Sequence, residues 1–241
     1  MVSCVIPMYN EQSIAESSMR ELAAAMSRSF DEWEIVISND GSTDGTKRIA
    51  ERLCRDIPGI RLTSYPDNRG KGSAVREGVL ASKGDVVIYT DCDLAYGTDV
   101  LPVMVDKLKS DGSDAVIGSR NLSPEGYAGY TFLRRLASKT YIKVISLAAG
   151  FKHSDSQCGI KCFRGEAARK IFSACRINGF AFDLEALMTA EAMGYTVTEQ
   201  PVTIINHRES ASKVRLFRDT FKMLRDIRGI KRRLKKEFKK E

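Results

Sequence analysis

The sequence has no apolar run of the roughly 20 residues that a membrane-spanning helix needs. Its longest candidate, residues 144–151, is too short and is flanked by Lys143 and Lys152. The first residues also lack the basic segment and long apolar stretch of a secretory signal peptide. These absences predict a protein that stays in the cytosol.

The cysteines lack the spacing of a zinc site. Cys158 and Cys162 stand four apart, but no second Cys or His pair completes the ligand set. In a reducing compartment, the six cysteines of the chain are expected to stay thiols. We therefore interpret them as small buried side chains rather than as disulfides or metal ligands.

What the chain does have is the composition of a soluble globular protein, with 43% hydrophobic and 29% charged residues among 241. Its net charge of +7 is unevenly distributed. Residues 213–241 hold 13 Lys or Arg against 4 Asp or Glu, a net of +9 that leaves −2 for the rest. A basic tail of this kind suits nucleic acid, an anionic membrane, or no partner at all.

Short β-branched runs alternate with helical patterns. We predict strands at residues 2–6, 34–38, 60–64, 86–90 and 115–118, and helices at 13–29, 43–55, 71–82 and 98–110. After residue 120 we predict a helix at 131–149, strands at 160–163 and 196–203, and helices at 165–174 and 183–193. This alternation is typical of a mainly parallel sheet with helices on both faces.

Polar clusters follow four of the predicted strands, at residues 7–11, 39–45, 68–72 and 91–93. Ligands of open α/β sheets bind at the carboxyl ends of the strands. Each cluster alone is weak evidence, but four of them meeting at one edge predict a binding site there.

Asp91 and Asp93 are the clearest candidates for chemistry, because two carboxylates just past a buried strand can meet one hard cation. Mg²⁺ is usually held by one or two carboxylates together with substrate phosphates. The plain alternative is an Asp-rich turn without a metal. We favour a site for a metal–diphosphate complex.

Two further side chains complete this expected site. Asp40, at the end of a strand, is placed to accept hydrogen bonds from a base or ribose, whereas Ser42 or Asp44 could simply cap the next helix. Lys71 lies in a glycine turn that opens a helix, where backbone N–H groups and an amine suit a phosphate. The spacing of a P-loop is absent.

Residues 7–11, 40–46, 69–72 and 91–93 resemble, in order and spacing, the nucleotide-sugar half of family 2 glycosyltransferases. The resemblance implies the GT-A fold, a Rossmann-like, mainly parallel sheet flanked by helices. It also implies Mg²⁺ or Mn²⁺ on Asp91 and Asp93, bridging the diphosphate of a nucleotide sugar. The residues implied in nucleotide binding are Pro7, Tyr9, Glu11, Asp40, Lys71, Asp91 and Asp93. Ala95 departs from the pattern, because it offers no further ligand atom.

Residues 118–120, 155–161, 182–185 and 212–213 resemble the dolichyl-phosphate glucose and mannose synthases and their bacterial polyprenyl-phosphate relatives. The resemblance implies inverting transfer of a hexose to a polyprenyl or dolichyl monophosphate. Residues 155–161 favour UDP-glucose as the donor, with GDP-mannose as the alternative. The Gln-x-x-Arg-Trp motif of processive synthases is absent, and the single tryptophan, Trp33, lies far from the expected place.

A monophosphate acceptor is already an anion, so it needs little help from a general base, but two anionic reactants must be held together. By resemblance, Arg120, Arg134 and Ser138 contact the acceptor phosphate, and Arg208 and Lys213 belong to a basic loop that closes over both phosphates. The implied catalytic residues are Asp91, Asp93, Arg120, Arg208 and Lys213; the implied acceptor residues are Arg120, Arg134, Ser138, Gln157 and Glu185. The alternatives are a solvated helix face for Arg134 and an ordinary flexible loop for Arg208 and Lys213.

We expect one domain over residues 1–212, with a nucleotide-sugar half (1–118) and an acceptor half (119–212), followed by a basic amphipathic helix in 213–241. The apolar stripe of that helix is formed by Phe217, Phe221, Leu224, Ile227, Leu234 and Phe238. Such a helix can lie on an anionic membrane, bind another helix or dock on the body. We favour the membrane, at its cytoplasmic face, with the Lys/Arg cluster beyond Gly229 projecting from the body.

Two other functions remain open on the sequence. A GT-A enzyme could transfer to a glycan or protein hydroxyl instead of a lipid phosphate. A nucleic-acid-binding protein would explain only the basic tail and not the acidic pair, so we expect no nucleic acid as a partner.

Overall fold

The computed structural model describes residues 1–206 and 216–238, and for residues 216–221 the backbone alone. The elements of this part of the chain are β1 (Val2–Met8), α1 (Ala15–Ser29), β2 (Trp33–Asp40), α2 (Thr46–Asp56), β3 (Ile60–Tyr65), α3 (Lys71–Ala81), β4 (Val86–Tyr89), α4 (Val100–Ser110), β5 (Ala115–Ser119), α5 (Phe132–Ala149), β6 (Lys161–Arg164), α6 (Gly165–Ala174), α7 (Phe182–Ala192), β7 (Val197–Pro201) and α8 (Leu216–Glu237).

The seven described strands form one sheet in the order β3-β2-β1-β4-β6-β5-β7. All neighbours run parallel except β6, which is antiparallel to both β4 and β5. This confirms the predicted mainly parallel sheet flanked by helices. The second half of the chain completes the sheet, as expected, by supplying β6 and β7.

Both faces of the sheet are covered, which is why its strands are short, continuous apolar runs. Successive side chains of β1 point to opposite faces: Cys4 and Ile6 pack in the cluster that includes α1 and α4, and Val5 packs in the cluster with α3 and α6. The strands are thus fixed by two layers of helices, and their polar ends converge at one edge. None of the six cysteines, all within the described residues, is joined in a disulfide.

Helix α8 packs on the body from Met223 to Leu234. Met223, Ile227, Ile230 and Leu234 are buried in a third cluster, together with side chains of α5 and α7. Contrary to expectation, the helix beyond Gly229 therefore stays on the body, although Lys231, Arg232, Lys235 and Lys236 of its basic cluster are exposed. The apolar stripe continues past that glycine, and burying it against α5 and α7 removes apolar surface from water. Within the described residues, no helix is both long and apolar enough to cross a bilayer.

Candidate active site

A first cavity of about 440 Å³ lies at the carboxyl ends of β1, β2 and β4. Its lining includes every residue that the sequence assigned to nucleotide and metal binding: Pro7, Tyr9, Glu11, Asp40, Lys71, Asp91 and Asp93. The parallel strands bring these residues together because each polar cluster begins where its strand ends. Gly179 and Phe180, from the turn before α7, complete the wall and were not anticipated.

Asp40 organises the loop after β3. Its carboxylate accepts hydrogen bonds from the Tyr65 hydroxyl (2.7 Å), the Asn68 amide (2.8 Å) and the backbone N–H groups of Arg69 (2.8 Å) and Gly70 (2.9 Å). These four donors use most of the acceptor capacity of a carboxylate. Asp40 therefore lines the cavity but mainly holds the turn that places the start of α3.

The loops after β1 and β2 brace each other. Asn10, with a φ of 57°, accepts a hydrogen bond from the backbone N–H of Thr43 at 2.9 Å. The backbone N–H of Glu11 donates to the Thr46 hydroxyl at 2.8 Å. These bonds fix the backbone of residues 9–11, so Tyr9 and Glu11 are presented from a rigid edge rather than from a mobile loop.

Asp91, Asp93 and Lys71 form the charged floor of the first cavity. The Lys71 amine lies 2.5 Å from Asp91 Oδ1. Burial alone would lower the pKa of Lys71, but the carboxylates of Asp91 and Asp183 outweigh it and raise that pKa. Burial, followed by the charge of Asp91, raises the pKa of Asp93. The Lys71 amine thus pairs with Asp91, and Asp93 lies beside that pair in a partly buried place.

This donor set fits a divalent cation. The two carboxylates line a cavity large enough for substrate phosphates and water, which usually complete the coordination of Mg²⁺. In the described part of the chain, no third His, Cys, Asp or Glu joins them in a three-residue cluster. That agrees with the alanine at position 95, which offers no ligand atom.

A second cavity, of about 470 Å³, lies beside the first, and Phe180 lines both. It brings together Arg120, Arg134, Ser138 and Gln157, four of the five residues assigned to the acceptor. Gln157 Nε2 is buried and has no hydrogen-bond partner among the described residues, so this donor remains available to a ligand. Lys222 and Asp226 of α8 also line the second cavity.

Arg120 is held in one orientation by Asp155. Its Nε and Nη2 lie 2.7 and 2.9 Å from the two oxygens of that fully buried carboxylate. Burial opposes the charge of Arg120, but its hydrogen bonds to the Asp155 carboxylate prevail and raise its pKa well above the usual value. Asp155 is thus a positioning residue. The sequence placed it in a motif but gave it no role.

Arg134 stands at the start of α5, where its guanidinium lies 4.1 Å from the centroid of the Tyr130 ring. Helix α5 begins there because the hydroxyl of Thr131 accepts a hydrogen bond from the backbone N–H of Arg134. The cap and the ring contact direct Arg134 to the second cavity. Its neighbour Arg135, which is exposed as Arg134 is, lies 5.9 Å from the centroid of the Tyr127 ring and does not line that cavity.

The remaining assigned residues lie elsewhere. Glu185 is buried beneath α8, where its carboxylate binds Arg233 and two backbone N–H groups, and it does not line the second cavity. A buried carboxylate with these partners is not available to an acceptor. Arg208 and Lys213 lie outside the described residues.

A buried ion pair behind the site was missed on the sequence. Lys161 is fully buried, and its amine lies 2.7 Å from Asp183 Oδ1 and 2.6 Å from the Cys158 carbonyl. The Tyr89 hydroxyl donates to the same Asp183 oxygen at 2.6 Å. The pair joins β6 to α7 behind Lys71. Its signal was present, because both partners lie in stretches, 155–161 and 182–185, that resemble the dolichyl-phosphate synthases.

Comparison with known proteins agrees with this geometry. Residues 3–172 match the glycosyl transferase family 2. The dolichyl-phosphate beta-glucosyltransferase ALG5C of Trichomonas vaginalis is 35% identical over 208 residues, covering 82% of this chain and 62% of that protein. The glycosyltransferase AglD of Haloferax volcanii is 32% identical over 225 residues, covering 92% of this chain and 35% of AglD. The chain thus spans about three fifths and about one third of these relatives.

Among solved structures, the glucosyl-3-phosphoglycerate synthase of Mycobacterium tuberculosis, in complex with Mn²⁺, UDP and glucosyl-3-phosphoglycerate, superposes with a TM-score of 0.66. It is 20% identical, and the match covers 95% of this chain and 78% of that one. At this identity the likeness establishes the fold. With the cluster of motifs at one sheet edge and the match over residues 3–172, the chain belongs to glycosyl transferase family 2.

Proposed function

We propose that this protein transfers a hexose, with inversion, from a nucleotide sugar to a polyprenyl or dolichyl monophosphate. The observation that carries the proposal is the pair of adjacent cavities that share Phe180. The first combines two carboxylates with Lys71, and the second combines two arginines with the unpartnered amide of Gln157. The names of the similar dolichyl-phosphate glucosyltransferases support the same reaction.

The proposed reaction is a single displacement. An oxygen of the acceptor phosphate forms a bond to the anomeric carbon, while the bond from that carbon to the nucleoside diphosphate breaks and the electron pair leaves with the diphosphate. The nucleophile is already ionised, so no side chain has to remove a proton from it. The residues must instead overcome the repulsion between two anions.

Each charged side chain has a part in that task. Arg120, held rigid by Asp155, and Arg134 orient the acceptor phosphate, because guanidinium groups bind phosphate oxygens in pairs. Lys71 binds the diphosphate of the donor at the start of α3. A divalent cation on Asp91 and Asp93, Mg²⁺ or Mn²⁺, would supply positive charge to the leaving diphosphate. Arg208 and Lys213 are proposed to cover both phosphates.

The donor is proposed to be UDP-glucose, with GDP-mannose as the alternative. The glucosyltransferase names of the relatives and the UDP bound by the similar synthase support UDP-glucose. We assign donor binding mainly to residues 1–118 and acceptor binding mainly to residues 119–212. The division is not complete, because Gly179 and Phe180 reach the first cavity and α8 lines the second.

The acceptor half carries an exposed apolar surface that suits a lipid substrate. Phe132, Leu133, Leu136 and Leu147 of α5 are 77, 75, 52 and 81% exposed. The same helix supplies Arg134 and Ser138 to the second cavity. We propose that this face of α5 enters the headgroup region of a membrane, so that the lipid phosphate reaches the arginines from the bilayer.

Helix α8 has a different part in membrane binding from the one expected on the sequence. Its apolar stripe is buried, but Arg225, Arg228, Lys235 and Lys236 remain exposed on its outer side. We propose that these charges attract the protein to anionic lipids at the cytoplasmic face, while α5 supplies the apolar contact. The protein would then be peripheral on that face.

Transfer to a glycan or protein hydroxyl is the second candidate, and Asp226 is the observation that favours it. A hydroxyl nucleophile needs a general base, and this carboxylate lines the second cavity. For a lipid phosphate, Asp226 should be dispensable. The Asp226→Asn variant therefore separates the two reactions.

The decisive experiment incubates the protein with radiolabelled UDP-glucose or GDP-mannose, Mn²⁺, and dolichyl or C55 polyprenyl phosphate. We expect label from UDP-glucose to move into an organic-extractable lipid, and NMR of that product to show a β-linkage from the α-configured donor. Asp93→Asn serves as the inactive control. Label that stays in the aqueous phase with every donor, or a product that keeps the α configuration, would contradict the proposal.

A further inference from the structure

Helix α8 is joined to a buried carboxylate of α7 by the side chain of Arg233. Arg233 Nη2 lies 2.6 Å from Oε1 of Glu185, on α7. The other oxygen of Glu185 accepts hydrogen bonds from the backbone N–H groups of Arg176 (2.9 Å) and Ile177 (2.7 Å). Arg233 also donates to the carbonyl of Ala174. The carboxylate and the arginine together hold the beginning of residues 175–181, here called the 175–181 segment.

The other end of the 175–181 segment is fixed to the start of α3. The Asn178 carbonyl accepts a hydrogen bond from the backbone N–H of Gly72 at 2.7 Å, and its side-chain oxygen accepts one from Arg76 at 2.8 Å. A Cβ at Gly72 would lie 2.6 Å from the Ile177 carbonyl oxygen, so the two backbones are in direct contact. The turn that presents Lys71 is thus packed against the segment.

Between these two attachments lies the wall of both cavities. Gly179 and Phe180 line the first cavity, and Phe180 lines the second as well. The Phe180 side chain is largely exposed, so its own packing does little to hold it in place. Its position depends on the backbone of the segment, which in turn depends on the hydrogen bonds at its two ends.

We propose that Arg233 is a positioning residue for the active site: through Glu185 it fixes the 175–181 segment and hence the wall between the two cavities. The docking of α8 is then required for the geometry of the nucleotide site, although no atom of Arg233 lines either cavity. This inference rests on the proposed function in one respect, the choice of UDP and UDP-glucose as the nucleotides that bind the first cavity.

The buried position of Glu185 explains why one arginine has this effect. Glu185 is only 1% exposed, and removing its cation leaves a buried carboxylate without a compensating charge. The carboxylate then moves toward water or takes up a proton, and either change weakens its bonds to the N–H groups of residues 176 and 177. Glu237 of α8 also reaches the segment, because its carboxylate accepts a hydrogen bond from the Arg176 side chain and lies 3.7 Å from Arg233.

The test compares Arg233→Met with Arg232→Met, which removes the same charge from an exposed neighbour on the same helix. Titration calorimetry with UDP and UDP-glucose in the presence of Mn²⁺ measures nucleotide affinity, and hydrogen–deuterium exchange measures protection of residues 176–180. For Arg233→Met we expect roughly tenfold weaker nucleotide binding and faster exchange in the segment. Arg232→Met should match the wild type in both measurements.

A second variant separates positioning from general damage. In Glu185→Gln/Arg233→Met the buried group is neutral and still accepts the two backbone N–H bonds, so nucleotide affinity should recover in part. Arg233→Lys keeps the charge but offers a single donor group, so its nucleotide affinity should lie between those of the wild type and Arg233→Met. If Arg233→Met fails to fold, Arg233→Lys takes its place in the comparison. In lipid-transfer assays the KM for the donor should rise more than kcat falls.

Two results would overturn the inference. One is a folded Arg233→Met protein with wild-type nucleotide affinity and wild-type exchange in the segment. The other is a loss of nucleotide affinity that is equal in Arg233→Met and in the double variant Glu185→Gln/Arg233→Met. A wild-type protein that binds neither UDP nor UDP-glucose would instead contradict the proposed function, and the exchange data would still decide whether Arg233 holds the segment.

Discussion

The amine of Lys71 lies 2.5 Å from Oδ1 of Asp91. One of the two carboxylates proposed to hold a metal is therefore already neutralised by a cation from the start of α3. Metal and lysine compete for this carboxylate, and a donor diphosphate would relieve the competition, because its oxygens can bind both. Donor and metal are thus expected to bind cooperatively.

Replacing Asp93 by asparagine should abolish transfer without unfolding the protein. The variant removes one of two anionic ligands, and Asn binds a hard cation much more weakly than Asp does. We expect activity to fall by about three orders of magnitude or more, consistent with losing metal-assisted charge stabilisation. Label transfer and circular dichroism measure the two effects; full turnover of the wild type in excess EDTA would disprove the metal assignment.

Replacing Lys71 by methionine should have opposite effects on two ligands. Without the amine, the two carboxylates face each other unpaired, so Mn²⁺ alone should bind more tightly than to the wild type. UDP should bind more weakly, because its diphosphate loses a cation. Electron paramagnetic resonance of free Mn²⁺ and calorimetry with UDP test this pair of outcomes. A parallel loss of both affinities would show that Lys71 only supports the local structure.

Replacing Arg134 by alanine should impair the acceptor and spare the donor. We expect the KM for the lipid phosphate to rise about tenfold or more, since a charge-assisted contact to phosphate is lost. UDP affinity should not change. Arg135→Ala, which removes the same charge from an exposed neighbour, is the matched control. Equal effects of the two variants would favour a solvated helix face over an acceptor site.

Replacing Leu133 and Leu136 together by serine should weaken binding to anionic liposomes at both low and high salt. Each side chain that enters a membrane contributes about 1–2 kcal/mol of apolar burial, which salt does not screen.

Replacing Arg225 and Arg228 by serine should weaken binding to the same liposomes mainly at low salt. Leu80→Ser, an exposed leucine on α3, is the control in co-sedimentation. Undiminished binding of the α5 variant would place the membrane contact elsewhere.

Replacing Lys161 by methionine should destabilise the fold by about 3–5 kcal/mol, because Asp183 would remain as an uncompensated buried charge. The double variant Lys161→Met/Asp183→Asn should recover a large part of that loss. Urea denaturation gives both free energies of unfolding. If the single and the double variant were equally unstable, the loss would come from packing and not from the ion pair.

The helices and strands were predictable where their signals are local. The predicted helix 165–174 is α6, Gly165–Ala174, and the helix predicted at 131–149 is α5, Phe132–Ala149, which ends at Gly150 with a φ of 76°. The first cavity was predictable for a related reason. Each of its polar clusters follows an apolar strand, and parallel strands necessarily bring their carboxyl ends together.

What the sequence could not provide was the pairing of distant residues. Glu185 and Arg233 are 48 positions apart, and nothing near either of them identifies the other as its partner. The amphipathic pattern of α8 is likewise compatible with a membrane or with the body, because both present an apolar surface. Asp40 was correctly placed at the cavity, but the donors that occupy it come from the loop after β3, 25 to 30 residues further on.

The reversed direction of β6 has a consequence for how such enzymes diversify. Residues 120–160 leave the sheet at the carboxyl end of β5 and return at the amino end of β6, and both ends lie at the same edge because the two strands are antiparallel. A stretch that leaves and re-enters the sheet at one edge can change in length or sequence without changing the order of the strands. The lining of the second cavity, which includes Arg120, Arg134 and Gln157, can therefore change within this excursion while the first cavity keeps its residues.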